Sequence, residues 1–145
     1  PIAELAGGRI RKVHRRMVRA GGAIDGASPP SALHDLRKQG KELRYLLEFF
    51  AGLYPADVVK PMVRSLKSLQ DTLGRFQDRE VQAAMLRELR EDVAGLERGA
   101  AALMAMGLLV ERLEQEQADA RAEFAERFAA FSSKPQRALV KRAFG

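Results

Sequence analysis

His34, Arg37, Lys41 and Arg44 follow one another at intervals of three, four and three residues. On an α-helix that spacing stacks side chains along one flank. The chemistry such a row can do is anion binding. Guanidinium and ammonium groups donate to oxyanion oxygens, and a protonated imidazole donates from both nitrogens. Lys38 extends the row beside Arg37 and Lys41. Like charges at this spacing cost a helix a few tenths of a kcal/mol per pair, roughly, and an anion lying along the row removes that repulsion. Two further rows repeat the pattern: Lys60, Arg64 and Lys67, then Arg9, Lys12, Arg16 and Arg19. The solvated face of an amphipathic helix has the same composition, and spacing alone does not separate the two readings.

Other chemistries are poorly supplied. The chain holds two histidines, His14 and His34, and no cysteine. Zinc needs more nitrogen or sulfur ligands than that, and no Glu-x-x-His pair exists for a di-iron bundle site. Ser132 and Ser133 have no base nearby in sequence. Gly21 and Gly26 have phosphate-loop spacing, but Ala27 stands where lysine is required and no strand precedes them. The expectation is a binding protein with no catalytic residues, no metal and no cofactor.

The elements that carry the rows are helices. Leu33, Leu36, Gly40, Leu43, Leu47 and Phe50 step by three and four beside the first row, giving a core seam for a helix from about residue 33 to 52. Val59, Met62, Leu66, Leu69 and Leu73 form a second seam, predicting a helix over 56–74 with Gly74 as its C-terminal cap. Asp78 is read as the N-cap of a following helix over 79–93. A first helix spans 2–20 on Ile2, Leu5, Ile10, Val13 and Met17. Gly21, Gly22, Gly26 and Pro29-Pro30 end it, and Ser28 or Ser31 can cap the next. A long helix over 100–131 carries Leu113, Phe124, Phe128 and Phe131 inward. Its many glutamates read as a solvated outer face, and Met104 and Met106 as adaptable core filler. A short basic helix closes the chain. Gln70 and Asp71, polar residues within an apolar context, are read as interhelical hydrogen-bond partners. No segment alternates as a strand does. The fold class expected is all-α: an antiparallel bundle of four to six helices, one domain over 1–145.

Two antiparallel neighbours whose basic rows sit at the same offset from their seams can converge those rows on one groove, or point both away. That ranks the sites. His34, Arg37, Lys41 and Arg44 come first, Lys60, Arg64 and Lys67 second, and the first helix third, because its row precedes its seam.

Charge supports an anionic partner. Residues 1–79 hold 15 Lys/Arg against 8 Asp/Glu, the remainder 10 against 11. A basic half on such a domain suits a nucleic acid, a membrane surface or a phosphate polymer. The lack of tryptophan and the few aromatics argue against stacking on bases. The longest uncharged apolar run, 99–110, is too short to span a bilayer.

His34-x-x-Arg37-Lys38-x-x-Lys41-x-x-Arg44-Tyr45 resembles the signature of the conserved-histidine α-helical domain, the CHAD family. The likeness continues into Leu69-Gln70-Asp71-x-Leu73-Gly74, and Asp78 stands where that family has an aspartate. By resemblance the chain looks like the C-terminal repeat of a two-repeat domain, matched over nearly all its length. The resemblance implies a non-catalytic helical bundle that binds inorganic polyphosphate, in the cytoplasm or on polyphosphate granules. It carries His34, Arg37, Lys38, Lys41 and Arg44 over as binding residues and Tyr45 as packing or a hydroxyl donor. Glu42 departs from the pattern, standing where relatives carry a base, and is expected to weaken or narrow the site. A half-length domain calls for a second repeat or a second copy to complete any groove between repeats. Two other readings remain: a nucleic-acid-binding helical domain using the same surface, and an accessory protein-interaction bundle.

Overall fold

The computed structural model describes all 145 residues. Six α-helices follow one another with no strand: α1 Ile2–Gly22, α2 Pro30–Phe49, α3 Ala56–Glu88, the single-turn α4 Arg90–Ala94, α5 Gly99–Phe131 and α6 Lys134–Phe144. One 3-10 turn, Ala51–Leu53, links α2 to α3. The all-α bundle read from the seams is the observed class.

The core is where the periodicities put it. Ile10, Val13 and Met17 of α1 meet Leu33, Leu36, Leu43 and Leu47 of α2. Val59, Met62, Leu66, Leu69, Leu73 and Phe76 of α3 and Phe124, Phe128 and Phe131 of α5 complete it. α6 lies on α1, with Val140 and Phe144 buried and the Phe144 ring edge-on to Tyr54. The Tyr54 hydroxyl donates to the Ala3 carbonyl at 2.6 Å, tying the start of α1 to the α2–α3 link.

Glycine at 21 is required by packing. A Cβ there would lie 2.1–2.7 Å from the Phe128 ring. Gly21→Ala should therefore destabilise the protein by about 1 kcal/mol net in a denaturant titration. Overpacking costs about 1–3 kcal/mol, and alanine's better helix propensity returns up to about 1.

Several boundaries differ from the sequence expectation. α3 does not stop at Gly74, and Asp78 caps nothing: both lie inside one helix that continues to Glu88. The burial of Leu73, Phe76 and Ala83 outweighs the roughly 1 kcal/mol that a mid-helix glycine costs. Gly21 and Gly22 likewise lie within α1. Neither Ser28 nor Ser31 caps α2, whose N-cap is Pro29. Ser28 instead closes the connector, its hydroxyl accepting from the Asp25 amide at 2.9 Å. Gln70 is buried with Oε1 unpartnered and Asp71 is exposed, so neither joins helices by hydrogen bonds. Met104 is exposed rather than core.

The acidic row on α5 is not simply a solvated face. Glu116 and Glu123 pair with Arg79 and Arg75 of α3, each at 2.6 Å, and Glu114 pairs with Arg87. This second half of α3 is thereby zipped to α5 and its cations are neutralised. The first half of α3, with Lys60, Arg64 and Lys67, has no such partner.

Candidate anion-binding face

α2 is the middle helix of the site, with α1 on one flank and α3 on the other. The early residues of α2 meet the late part of α3. His34 Nδ1 lies 3.0 Å from Gln77 Oε1, and Arg37 Nη1 donates to the same oxygen at 3.2 Å. The late residues of α2 meet the start of α3: Glu48 and Ala51 share a shallow cleft of about 350 Å³ with Val59, Lys60, Val63 and Arg64. The two helices are therefore antiparallel, and their register sets Arg44 opposite the turn that carries Lys67. Lys60 and Arg64 thus border a cleft with the end of α2, and Lys67 follows them one turn along the same row.

Gln77 was not singled out from sequence, and it organises the head of the row. Arg37 can only donate, so the oxygen it meets is an acceptor. His34 must then carry a proton on Nδ1 to share that oxygen. Nε2 is left as the nitrogen a ligand can use, and once protonated it donates to an oxyanion. Arg37 packs over Gly74 of α3, its guanidinium 3.5 Å from where a Cβ would stand, an ordinary van der Waals contact. Arg37 Nε is buried without a partner, so this guanidinium retains unused donor capacity.

Further along α2, Lys41 is half-buried and has no carboxylate within 4 Å. Arg44 stacks over the Tyr45 ring, its guanidinium carbon 5.0 Å from the centroid. Its Nε is 3.8 Å from Glu48, close enough for charge attraction and too far for a hydrogen bond, and that Nε has no other partner. Tyr45 itself is exposed. Lys38 is exposed too. Helical geometry sets it on the outer crest of α2, between the side that meets α3 and the side that meets α1.

The α1 row divides. Arg9 and Arg16 both reach Glu42 on α2, Arg9 at 2.7 Å. Glu42 thus engages two of the predicted α1 ligands, offsetting one of their two charges, rather than opposing the α2 row directly. It lies on the α1 flank of α2, away from Gln77. Lys12 is exposed and unpaired. Arg19 turns away from this face and lies against α6. The structure therefore gathers His34, Arg37, Lys41, Arg44, Lys60, Arg64 and Lys67 along the α2–α3 groove. Lys38 borders it, Lys12 is exposed on α1 across α2 from the groove, Arg9 and Arg16 are held by Glu42, and Arg19 is excluded.

A family model of the CHAD domain matches residues 1–87, well over half of the chain. The chain belongs to the CHAD family. The match takes in α1, α2 and all but the last residue of α3. It stops short of the near-complete coverage the resemblance suggested, and α4, α5 and α6 lie outside it. Every residue of the α2–α3 groove falls within the CHAD match. A comparison with curated proteins finds no match. No helix is long and apolar enough to cross a membrane.

Proposed function

We propose that this CHAD chain binds inorganic polyphosphate along the α2–α3 groove and does not transform it. The observation that carries the reading is the pair of facing rows, His34, Arg37, Lys41 and Arg44 against Lys60, Arg64 and Lys67. Only Arg44 among the seven has a carboxylate within 4 Å, while Glu48 also shares the cleft with Lys60 and Arg64 and the cations on the second half of α3 are paired with α5. Rigid helices hold the donors at intervals of about 5–6 Å along α2, a spacing that suits a flexible linear polyanion better than base edges. Arginines give bidentate contacts to non-bridging oxygens, lysines act as point charges, and Gln77 orients His34. The groove supplies oxyanion donors along two rigid helices, and the reading stops at binding. The same reading makes the chain one repeat of a larger CHAD assembly, completed by a second repeat or a second copy, and places it in the cytoplasm or on polyphosphate granules.

The test is a competition on the whole chain among long-chain polyphosphate, RNA and duplex DNA at equal phosphate concentration. Polyphosphate is expected to displace both nucleic acids, and its affinity should fall linearly on a log–log plot against salt. Preference for a nucleic acid would transfer the groove to that ligand. Absence of polyanion binding at physiological salt would leave a protein-interaction bundle.

A further inference from the structure

A second cationic cluster lies on the other side of α1. Arg11, His14, Arg15 and Arg19 of α1 face Arg137 and Lys141 of α6 around a cavity of about 470 Å³. That size is within the range of about 300–1,000 Å³ typical of small-ligand sites. Five permanent cations line it, no carboxylate does, and none of the five is in an ion pair. Elsewhere in the molecule, Arg75, Arg79 and Arg87 of α3 and Arg127 of α5 are all matched with glutamates. What sets this cluster apart from those pairs is that its five cations surround one cavity with no carboxylate in its lining.

Two of the residues that line this cavity carry a buried polar atom with no partner. His14 is 3% exposed, and its Nε2 is buried with no hydrogen-bond partner. Arg11 Nε is likewise buried and unpartnered. Buried polar atoms are normally satisfied, so a pair of orphans under a ring of cations points to a missing oxyanion. Burial and the neighbouring Arg137 both disfavour a proton on His14, which therefore adds no charge to the five cations.

We propose that the α1–α6 cleft is a separate binding site for a compact, multiply charged oxyanion, of the class of a short free phosphate chain. Its size argues for a compact ligand. The α1 donors span two helical turns, about 12 Å, and the α6 donors one turn. A short chain can touch both helices at once. The site is distinct from the α2–α3 groove, because α1 turns Arg9 and Arg16 toward α2 and the Arg11–Arg15 side toward α6. It includes Arg19, which the groove does not use. It draws on α6, which lies beyond the CHAD match.

Tripolyphosphate is the probe, titrated calorimetrically into the full chain at fixed ionic strength. Arg137→Gln with Lys141→Gln should weaken its affinity at least tenfold. Arg90→Gln with Arg98→Gln, which removes the same charge from exposed residues remote from the cleft, should change it less than twofold. In the unsubstituted protein, imidazole resonances of His14 should shift on titration at lower tripolyphosphate concentration than those of His34. Equal losses in the two double variants would reduce the effect to net charge and overturn the proposal. So would retained affinity in the α6 variant, a His34 response that precedes that of His14, or no binding. Long-chain polyphosphate binding at the groove is measured separately, so failure of either site is distinguishable from failure of the other.

Discussion

Replacing Arg37, Lys41 and Arg44 together by alanine is expected to weaken long-chain polyphosphate binding by about 100-fold. A hydrogen bond to a charged group contributes about 1.5–3 kcal/mol net. In an open groove screened by solvent, about 1 kcal/mol per contact is the appropriate figure, giving about 3 kcal/mol for the three. The salt dependence should change with the affinity. Each lost phosphate contact removes about 0.7 from the log–log slope if polyphosphate behaves as a single-stranded polyanion, so the slope should flatten by about 2. Arg90, Arg98 and Arg112 are exposed and unpaired on the distal α4–α5 end, and their triple alanine variant is the charge-matched comparison. Binding isotherms at three salt concentrations for both variants decide the matter. If the two triples lose affinity equally, net charge binds the polymer and the α2–α3 groove does not.

The groove was legible because two periodicities coincide. The leucine seam of α2 fixes which side is buried, and the basic row one residue away then has to emerge at the edge of that seam. The same logic applies on α3 to Lys60, Arg64 and Lys67, of which Lys60 and Arg64 share a cleft with the end of α2. What the sequence withheld depends on partners far away in the chain. Glu42 looked like an intruder in the α2 row, yet its two partners lie 26 and 33 residues earlier, and it faces them. Gln77 joins His34 from 43 residues away. The split of the α1 row has the same origin. Arg9 and Arg16 face α2 while Arg19 faces α6, and only the packing of α6 on α1 decides that.

The fold was legible to the same depth. Helical class and seams followed from spacing, whereas helix ends did not. Gly74 and Asp78 carry strong local signals for a break, and a break there would have separated Leu73 and Phe76 from Ala83, which share one packed face with α5. Long-range burial prevailed over local preference. The glutamates of α5 misled for a related reason. A row of acids is a solvated face unless an opposite row meets it, and Arg75, Arg79 and Arg87 meet it at intervals that match α5. This zipper has a functional consequence. It consumes the cations of the second half of α3 and confines the unpaired charge to the first half, where it faces α2.

Acid should destabilise the protein through His14, a residue whose only sequence signal was its rarity. Its pKa is lowered from 6.5 to about 4, first by burial and second by Arg137. Arg11 and Arg15 on its own helix and Lys141 on α6 add positive charge around the same cavity. On its other side His14 meets only uncharged residues, among them Met62, Ser65, Phe131 and Gln136. Between pH 6.5 and 4 the unfolded chain binds a proton at this histidine that the folded chain refuses. Stability therefore falls as pH drops through that window, and the loss levels off below the folded value. A full shift of this size corresponds to about 3 kcal/mol, of which about 2 kcal/mol is lost by pH 5, where the unfolded histidine is protonated and the folded one is still mostly neutral. Leucine at 14 has no proton to refuse. His14→Leu also removes the unpartnered Nε2, so its stability at pH 7.5 should equal or exceed that of the parent. Urea titrations of both proteins at pH 7.5, 6 and 5 should show the parent losing about 2 kcal/mol more than H14L across the range. Parallel losses in the two proteins would show that His14 is not the source of the acid sensitivity.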